Sequence, residues 1–169
     1  KPYNGSDTGG VVHVVAGSNH VVRRCFYDGR AKTYMPYFVL ATDSRGVRME
    51  NSVLVNGWLC ASFLRCPEVT VRNCVFYNGL IRNLSFFNEA AQTVTFSHNL
   101  VCDNIPGKKG NALIGLWHLE AYRGDHNVFF SRQSAERRSI LGYVRVGGEK
   151  NEGNLKLAEV RERTGQDAH

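Results

Sequence analysis

Val69-Thr70-Val71-Arg72-Asn73-Cys74-Val75-Phe76-Tyr77-Asn78-Gly79 alternates apolar and polar side chains, reaches an Asn, takes a further apolar run and ends in a turn. The same plan recurs at Val47-Arg48-Met49-Glu50-Asn51-Ser52-Val53-Leu54-Val55-Asn56-Gly57 and at Val94-Thr95-Phe96-Ser97-His98-Asn99-Leu100-Val101-Cys102-Asp103-Asn104. Fainter copies are Asp125-His126-Asn127-Val128-Phe129-Phe130-Ser131 and Val21-Val22-Arg23-Arg24-Cys25-Phe26-Tyr27-Asp28-Gly29. Aligned on Asn51, Asn73, His98 and His126, successive copies lie 22, 25 and 28 residues apart. Apolar residues two positions apart, such as Val69/Val71 and Val94/Phe96, share one face of a strand. A unit of one or two strands cannot bury that face alone and must stack on its neighbour. The fixed leucine spacing of leucine-rich repeats is missing, as is the helical periodicity of ankyrin and tetratricopeptide arrays. The chain therefore reads as an all-β parallel β-helix with coils of 22–28 residues. Val53, Val75, Leu100 and Val128, at a constant offset from the Asn/His position, are expected to form one interior column.

The runs Glu50 to Gly57 and Arg72 to Gly79 resemble coils of single-stranded right-handed parallel β-helix proteins, the pectate-lyase-like superfamily. Leu157-Ala158-Glu159-Val160-Arg161-Glu162-Arg163-Thr164-Gly165-Gln166-Asp167-Ala168-His169 is similar to a tail that follows the coils in large secreted β-helix proteins of planctomycete-type bacteria. Together the two stretches extend the resemblance over residues 11–169. It implies a right-handed solenoid, secreted or at the cell surface. It also implies a carbohydrate-active protein, either a lyase-type enzyme on acidic polysaccharide or a non-catalytic glycan-binding or structural module. The paired-aspartate and Gly-His-Gly motifs of polygalacturonase-like hydrolases do not occur, nor does the Asp-rich calcium cluster of pectate lyases. No cofactor is therefore expected, and Ca²⁺ has no recognisable site.

A chain of 169 residues, 43% hydrophobic and 21% charged, is one domain of ordinary composition. No apolar run approaches the roughly 18 residues of a membrane-spanning helix, so no membrane insertion is expected. The chain starts at Lys1 without a signal peptide, and no amphipathic helix precedes Val11 to cap the stack. It reads as a piece of a longer chain, with an end left for a β-helix partner stacked end to end. The net charge of +6 suits an acidic partner or a solvated basic surface. Its cations are scattered, with few adjacent pairs, Lys108-Lys109 and Arg137-Arg138 among them. Nucleic-acid binding lacks the basic aromatic sheet or zinc-finger spacing it needs. Of the five cysteines, Cys25 and Cys74 fall beside apolar coil positions as buried thiols, and Cys60 and Cys66 are the pair that a local disulfide could join. No Cys/His set has zinc spacing.

Residues 1–10 read as a flexible N-terminal segment, 11–133 as coils, and 134–169 as an extension with a short helix. Asn154 is the expected N-cap of that helix and Gly165 its stop. Loops around Tyr34 and Lys108 interrupt the coils and are expected to flank a groove.

Stacking brings equivalent residues about 4.8 Å apart, so Asn51, Asn73, His98 and His126 form a ladder. Its amides can satisfy one another and the backbone, and its two imidazoles, disfavouring double protonation, can leave a neutral base. One position earlier, Glu50 lies over Arg72 as an outward ion pair, unless Arg72 meets the carboxylate of an acidic sugar. The densest polar stretch is Trp117-His118-Leu119-Glu120-Ala121-Tyr122-Arg123-Gly124-Asp125-His126. A polysaccharide lyase needs a cation on the sugar carboxylate and a base for the adjacent proton. His118, Tyr122, Arg123 and His126 are the candidate catalytic residues, and Arg72, Lys108, Lys109 and Trp117 the candidate substrate-binding residues. Burial of Trp117 and Tyr122 between coils explains the same stretch without catalysis.

Overall fold

The structure is a computed structural model, and it describes residues 10–29, 37–57, 59–79, 82–87, 93–104, 112–131, 140–144 and 153–167. Lys108, Lys109 and the loop around Tyr34 lie outside the described residues, as does the 1–10 segment except Gly10. The first coil is β1 (Gly10–Val15), β2 (Val21–Arg23) and β3 (Phe26–Asp28), and the second is β4 (Tyr37–Thr42), β5 (Val47–Glu50) and β6 (Val53–Val55). The third is β7 (Leu59–Leu64), β8 (Glu68–Arg72) and β9 (Val75–Gly79), and the fourth is β10 (Arg82–Phe87), β11 (Thr93–Ser97) and β12 (Leu100–Asn104). The fifth is β13 (Ile114–Leu116), β14 (Tyr122–Asp125) and β15 (Val128–Phe130). Equivalent strands stack in register as three parallel sheets, so the protein is a parallel β-solenoid. β16 (Leu141–Val144) continues the first sheet in parallel, and β17 (Gly153–Leu155) closes it antiparallel. Both strands lie within the 134–169 extension and lengthen the first sheet.

Single residues in the left-handed region turn the corners. Ala16, Asp43 and Arg65 lead from the first sheet towards the second, and Arg24, Asn51, Asn73, His98 and His126 from the second to the third. Asn, Asp and His adopt this conformation at the least cost among residues with a Cβ. The corner amides bond the next coil: Asn51 N–H reaches Arg72 O at 3.1 Å, Asn73 N–H reaches Ser97 O at 3.2 Å and His98 N–H reaches Asp125 O at 3.1 Å.

A corner residue uses up one position, so the in/out alternation changes phase across it. Val47 and Met49 are buried, Asn51 turns the corner, and the inward residues beyond it are Ser52 and Leu54. This overturns the expected interior column. Val53, Val75, Leu100 and Val128 do align across the coils, but they line the outer surface, Leu100 being 37% and Val128 59% exposed. The interior column is Leu54, Phe76, Val101 and Phe129. Phe63 and Phe86 stack inside with centroids 5.2 Å apart, and Phe96 meets Phe86 at 6.5 Å and Tyr122 at 6.3 Å.

The amide ladder is also displaced by one residue. Asn51 and Asn73 are exposed, whereas Ser52, Cys74, Asn99 and Asn127 are buried. Asn99 Oδ1 accepts from Cys74 N–H at 3.0 Å, and Asn127 Oδ1 accepts from Asn99 N–H at 2.9 Å and from Asn99 Nδ2 at 3.0 Å. Where the side chain is short, it donates back to the carbonyl two residues earlier: Ser52 Oγ to Glu50 O at 2.8 Å, Cys74 Sγ to Arg72 O at 3.2 Å and Cys66 Sγ to Leu64 O at 3.4 Å. All five cysteines are free thiols. Cys60 lies near the start of β7 and Cys66 beyond its end, past the corner at Arg65. The extended strand from Cys60 to Leu64 alone covers roughly 13 Å, against the roughly 7 Å within which the Cα atoms of a bridge must approach.

Helix α1 (Leu157–Thr164) begins after Lys156, whose N–H is taken by the Glu159 carboxylate at 2.6 Å. The expected N-cap, Asn154, lies instead in β17, because Leu155 is still paired with Leu141. Gly165 ends the helix as expected, at φ 66°, with its N–H on Arg161 O at 2.8 Å.

Phe76→Asp is expected to abolish cooperative folding, since an unpaired buried carboxylate costs several kcal/mol against a stability of about 5–15 kcal/mol. Val75→Asp, one residue away but outward, should cost no more than about 1 kcal/mol; urea titrations of both variants check the phase of the coil. Burial pushes the Cys60 thiol up to about 12 and the Cys74 thiol up to about 11. The unfolded chain releases these protons near the ordinary thiol value of 9.0, before the folded one does. Stability should therefore fall as pH rises from about 9 towards 12, and iodoacetamide at pH 8 should modify Cys60 and Cys74 only after unfolding. Peptide mapping reads the second result.

Candidate functional site

Alternation turns every second residue of the second sheet outward, and register assembles these into columns. Val21, Arg48, Thr70, Thr95 and Arg123 form one, and Arg23, Glu50, Arg72, Ser97 and Asp125 the next. The corner column Arg24, Asn51, Asn73, His98 and His126 runs beside them. Glu50 accepts an ion pair from Arg72 Nε at 3.2 Å, as the spacing suggested, but its side chain is only 10% exposed, buried and not out in solvent as expected. Arg23, Arg24 and Arg48 are exposed, and among the described residues their guanidiniums have no carboxylate partner. Nearby cations are engaged: Arg45 binds Glu68 at 2.7 Å and Arg65 binds Asp43 at 2.5 Å. These guanidiniums hold the Glu68 and Asp43 carboxyls below the usual carboxylate range through hydrogen bonds and charge. The first two coils thus carry an unneutralised cluster of three arginines bordered by the Arg72/Glu50 pair.

His98 and His126 stack face to face, centroids 4.9 Å apart and planes 1° from parallel. His126 Nδ1 lies 2.8 Å from Asp125 Oδ2. Both rings are exposed at the corner.

A cavity of about 460 Å³ opens where the second sheet meets the C-terminal helix. Leu119, Glu120, Tyr122 and Arg123 line one side, and Arg163, Thr164 and Gln166 the other. Glu120 belongs to a single 3-10 turn, Leu119–Ala121, that leads into β14. Arg123 Nη1 donates to Glu120 O at 2.6 Å and to Tyr122 O at 2.8 Å, which clamps the guanidinium at the cavity rim.

Behind the cavity, Asp167 ends the coil stack. Its N–H bonds Gly124 O at 2.9 Å, where another coil would place a strand. Its Oδ1 accepts from Asn127 Nδ2 at 2.7 Å and its Oδ2 from the Tyr122 hydroxyl at 2.5 Å. Arg161 Nε reaches its carbonyl at 2.5 Å. Gly124 admits this arrangement, because a side chain there would run into the Asp167 carboxylate and the Tyr122 ring. Asp167 is 1% exposed and Tyr122 is 1% exposed. Burial, then the Asp167 charge, pushes the Tyr122 phenol well above its usual value, so Tyr122 is a buried donor in this lock.

The four candidate catalytic residues are therefore dispersed. Tyr122 and Arg123 border the cavity, but His118 and His126 do not. His118 precedes the 3-10 turn with its Nε2 closed off from solvent and without a hydrogen-bond partner. Of the candidate binding residues, Arg72 lies mid-face in its ion pair, and Trp117 is half-buried against Phe87 with centroids 5.3 Å apart. Sequence reading missed Arg23, Arg24, Arg48 and Gln166. The adjacent Arg23-Arg24 was the visible signal, and only the coil register adds Arg48 to it. Among the described residues no group of three or more His, Cys, Asp or Glu side chains comes together to hold a metal ion. No protein family, curated protein or solved structure matches the chain.

Asp167→Ala should leave the Tyr122 hydroxyl and the Asn127 amide buried without acceptors. At about 1–3 kcal/mol for each orphaned group, the variant is expected to melt several degrees lower. Asp167→Asn, which still offers one acceptor oxygen, should lose less; calorimetry of the two variants measures the difference.

Proposed function

We propose that the chain is a carbohydrate-active β-solenoid that binds acidic polysaccharide along the outer face of its second sheet. On this reading it is a secreted bacterial protein with right-handed coils of the pectate-lyase-like kind that its repeats resemble. The observation that carries the reading is the cluster of Arg23, Arg24 and Arg48, exposed and without carboxylate partners among the described residues while neighbouring arginines are paired. A guanidinium presents a planar fork of donors that suits carboxylates. The three side chains stand in three neighbouring columns on two adjacent coils, a compact patch of positive charge that favours an anionic ligand. The hydroxyls of Thr70, Thr95 and Ser97 and the amides of Asn51 and Asn73 supply neutral hydrogen-bonding groups on the same surface.

A lyase-type reaction on that face is the second reading, favoured by the exposed His98/His126 stack next to the column that contains Arg72. Arg72 would neutralise the sugar carboxylate, and a neutral imidazole would accept the proton beside it. Two-carboxyl hydrolysis is disfavoured here. Glu50 and Asp125 share a column but stand three strands apart, roughly 14 Å at about 4.8 Å per step, beyond the ~5–9.5 Å that glycoside hydrolysis uses.

Retention on immobilised polygalacturonate tests the proposal. Arg24→Ala combined with Arg48→Ala is expected to weaken binding about tenfold, ~1.4 kcal/mol, without lowering the melting temperature. Arg45→Ala, whose guanidinium is already engaged by Glu68, should stay within about twofold of the parent. Added salt should weaken the parent's binding. Indifference to salt and to the arginine variants would remove the proposal. An ultraviolet absorbance rise from unsaturated uronate, lost in His98→Gln with binding retained, would extend it to the lyase reading.

A further inference from the structure

We infer that the cavity between the fifth coil and α1 is an end pocket that receives the terminal sugar of an acidic glycan lying along the second sheet. The inference rests on the glycan reading above and adds where that glycan stops. A volume of about 460 Å³ falls within the range of small-ligand sites. Arg123 is the residue that joins the cavity to the face, because it stands in register with Thr95, Thr70 and Arg48 in one outward column. The carboxylate of a terminal sugar bound there would continue the row of anions along the sheet.

Arg123 is prepared for that task. Its Nη1 is held by the carbonyls of Glu120 and Tyr122, at 2.6 and 2.8 Å, while Nε and Nη2 have no partner among the described residues. A guanidinium fixed in this way loses little rotamer freedom when it takes a carboxylate through two donors. Leu119 supplies an apolar wall for a sugar ring, and the Gln166 amide supplies donors and an acceptor for its hydroxyls. The Arg123 guanidinium, with two donors unclaimed among the described residues, favours an anionic sugar over a neutral one.

One wall of the pocket is the chain's own tail, Arg163, Thr164 and Gln166. Asp167 occupies the edge of β14 through Gly124 O at 2.9 Å, and among the described residues no strand follows β14 in the second sheet. Gln166 and Arg163 consequently stand at the end of the column, and a chain terminus fits where a continuing polymer does not.

The test compares trigalacturonate with long polygalacturonate on the same protein, by calorimetry and by affinity electrophoresis. Arg123→Ala is expected to weaken trimer binding about tenfold and polymer retention by less than about threefold, since the arginines of the first two coils still hold the polymer. Arg24→Ala with Arg48→Ala should do the reverse. Arg123→Lys keeps the charge but loses the fork, and should fall between Arg123→Ala and the parent for the trimer. It also serves as the test variant if Arg123→Ala lowers the melting temperature. Trimer binding that is indifferent to Arg123, or equal losses for trimer and polymer, overturns the end pocket and leaves the face reading standing. Failure of the parent protein to bind either ligand overturns both.

Discussion

The fold depends on a conformational constraint at its corners: one residue per turn must sit in the left-handed region. Among the described residues twelve non-glycine residues lie in that region, the corner residues among them, with φ between 48° and 59°. Each such residue costs on the order of 1 kcal/mol or more when left to itself. The coil repays the cost through its neighbours, because the corner N–H is handed to the next coil's carbonyl and the strands on either side continue in register. A shorter stack would carry the strain of its corners with fewer inter-coil bonds to offset it, which is why such units gain stability only by repetition. Asn51, Asn73, His98 and His126 share little as chemistry. As backbone conformations they are equivalent, and Asn and His are among the residues that accept this one most readily.

The residue after the corner carries the second constraint. It points inward at a bend where backbone groups would otherwise be orphaned, so it must be small and polar or carry an amide. Ser52 and Cys74 meet the requirement by donating back to their own turn, while Asn99 and Asn127 meet it by bridging to the coil before. This accounts for cysteines that are neither bridged nor reactive: Cys66 and Cys74 act as small donors whose thiols burial keeps protonated. The series ends at Asp167, which accepts from Asn127 as the next coil's side chain would. Its second oxygen takes the Tyr122 hydroxyl, so closing the ladder and burying the tyrosine are one interaction.

The period of the solenoid was legible because like residues recur at nearly constant spacing, and the alignment on Asn51, Asn73, His98 and His126 gave the observed register. The phase beyond the corner was not legible. Alternation read straight through Asn73 puts Val75 inside, and only the left-handed turn at Asn73 moves Phe76 there. Both residues are apolar, so composition could not reveal the slip. The candidate site was legible in part. Arg72 opposite Glu50 follows from the repeat, whereas Arg48 joins Arg23 and Arg24 only through a register between the first and second coils, where the repeat is faintest. The polar stretch from Trp117 to His126 looked like one site because its residues are adjacent in sequence. Strand alternation divides it, sending Tyr122 and Gly124 inward and Arg123 out.

That division separates what holds the protein together from what is free to serve a ligand. Inward residues of each coil answer to stacking: an aromatic interior, a corner amide ladder and a terminal carboxylate that have few substitutes. Outward residues of the second sheet answer only to their cross-strand neighbours, where an exposed ion pair contributes at most about 1 kcal/mol. Folding therefore places little demand on which charges occupy those columns. Among the described residues Arg23, Arg24 and Arg48 have no carboxylate partner, whereas Arg45 pairs with Glu68 and Arg65 with Asp43. Pairing them would have been the stabilising choice. Cations grouped without counter-charge on the first two coils add nothing to the fold, and they are what a surface for an anionic ligand requires.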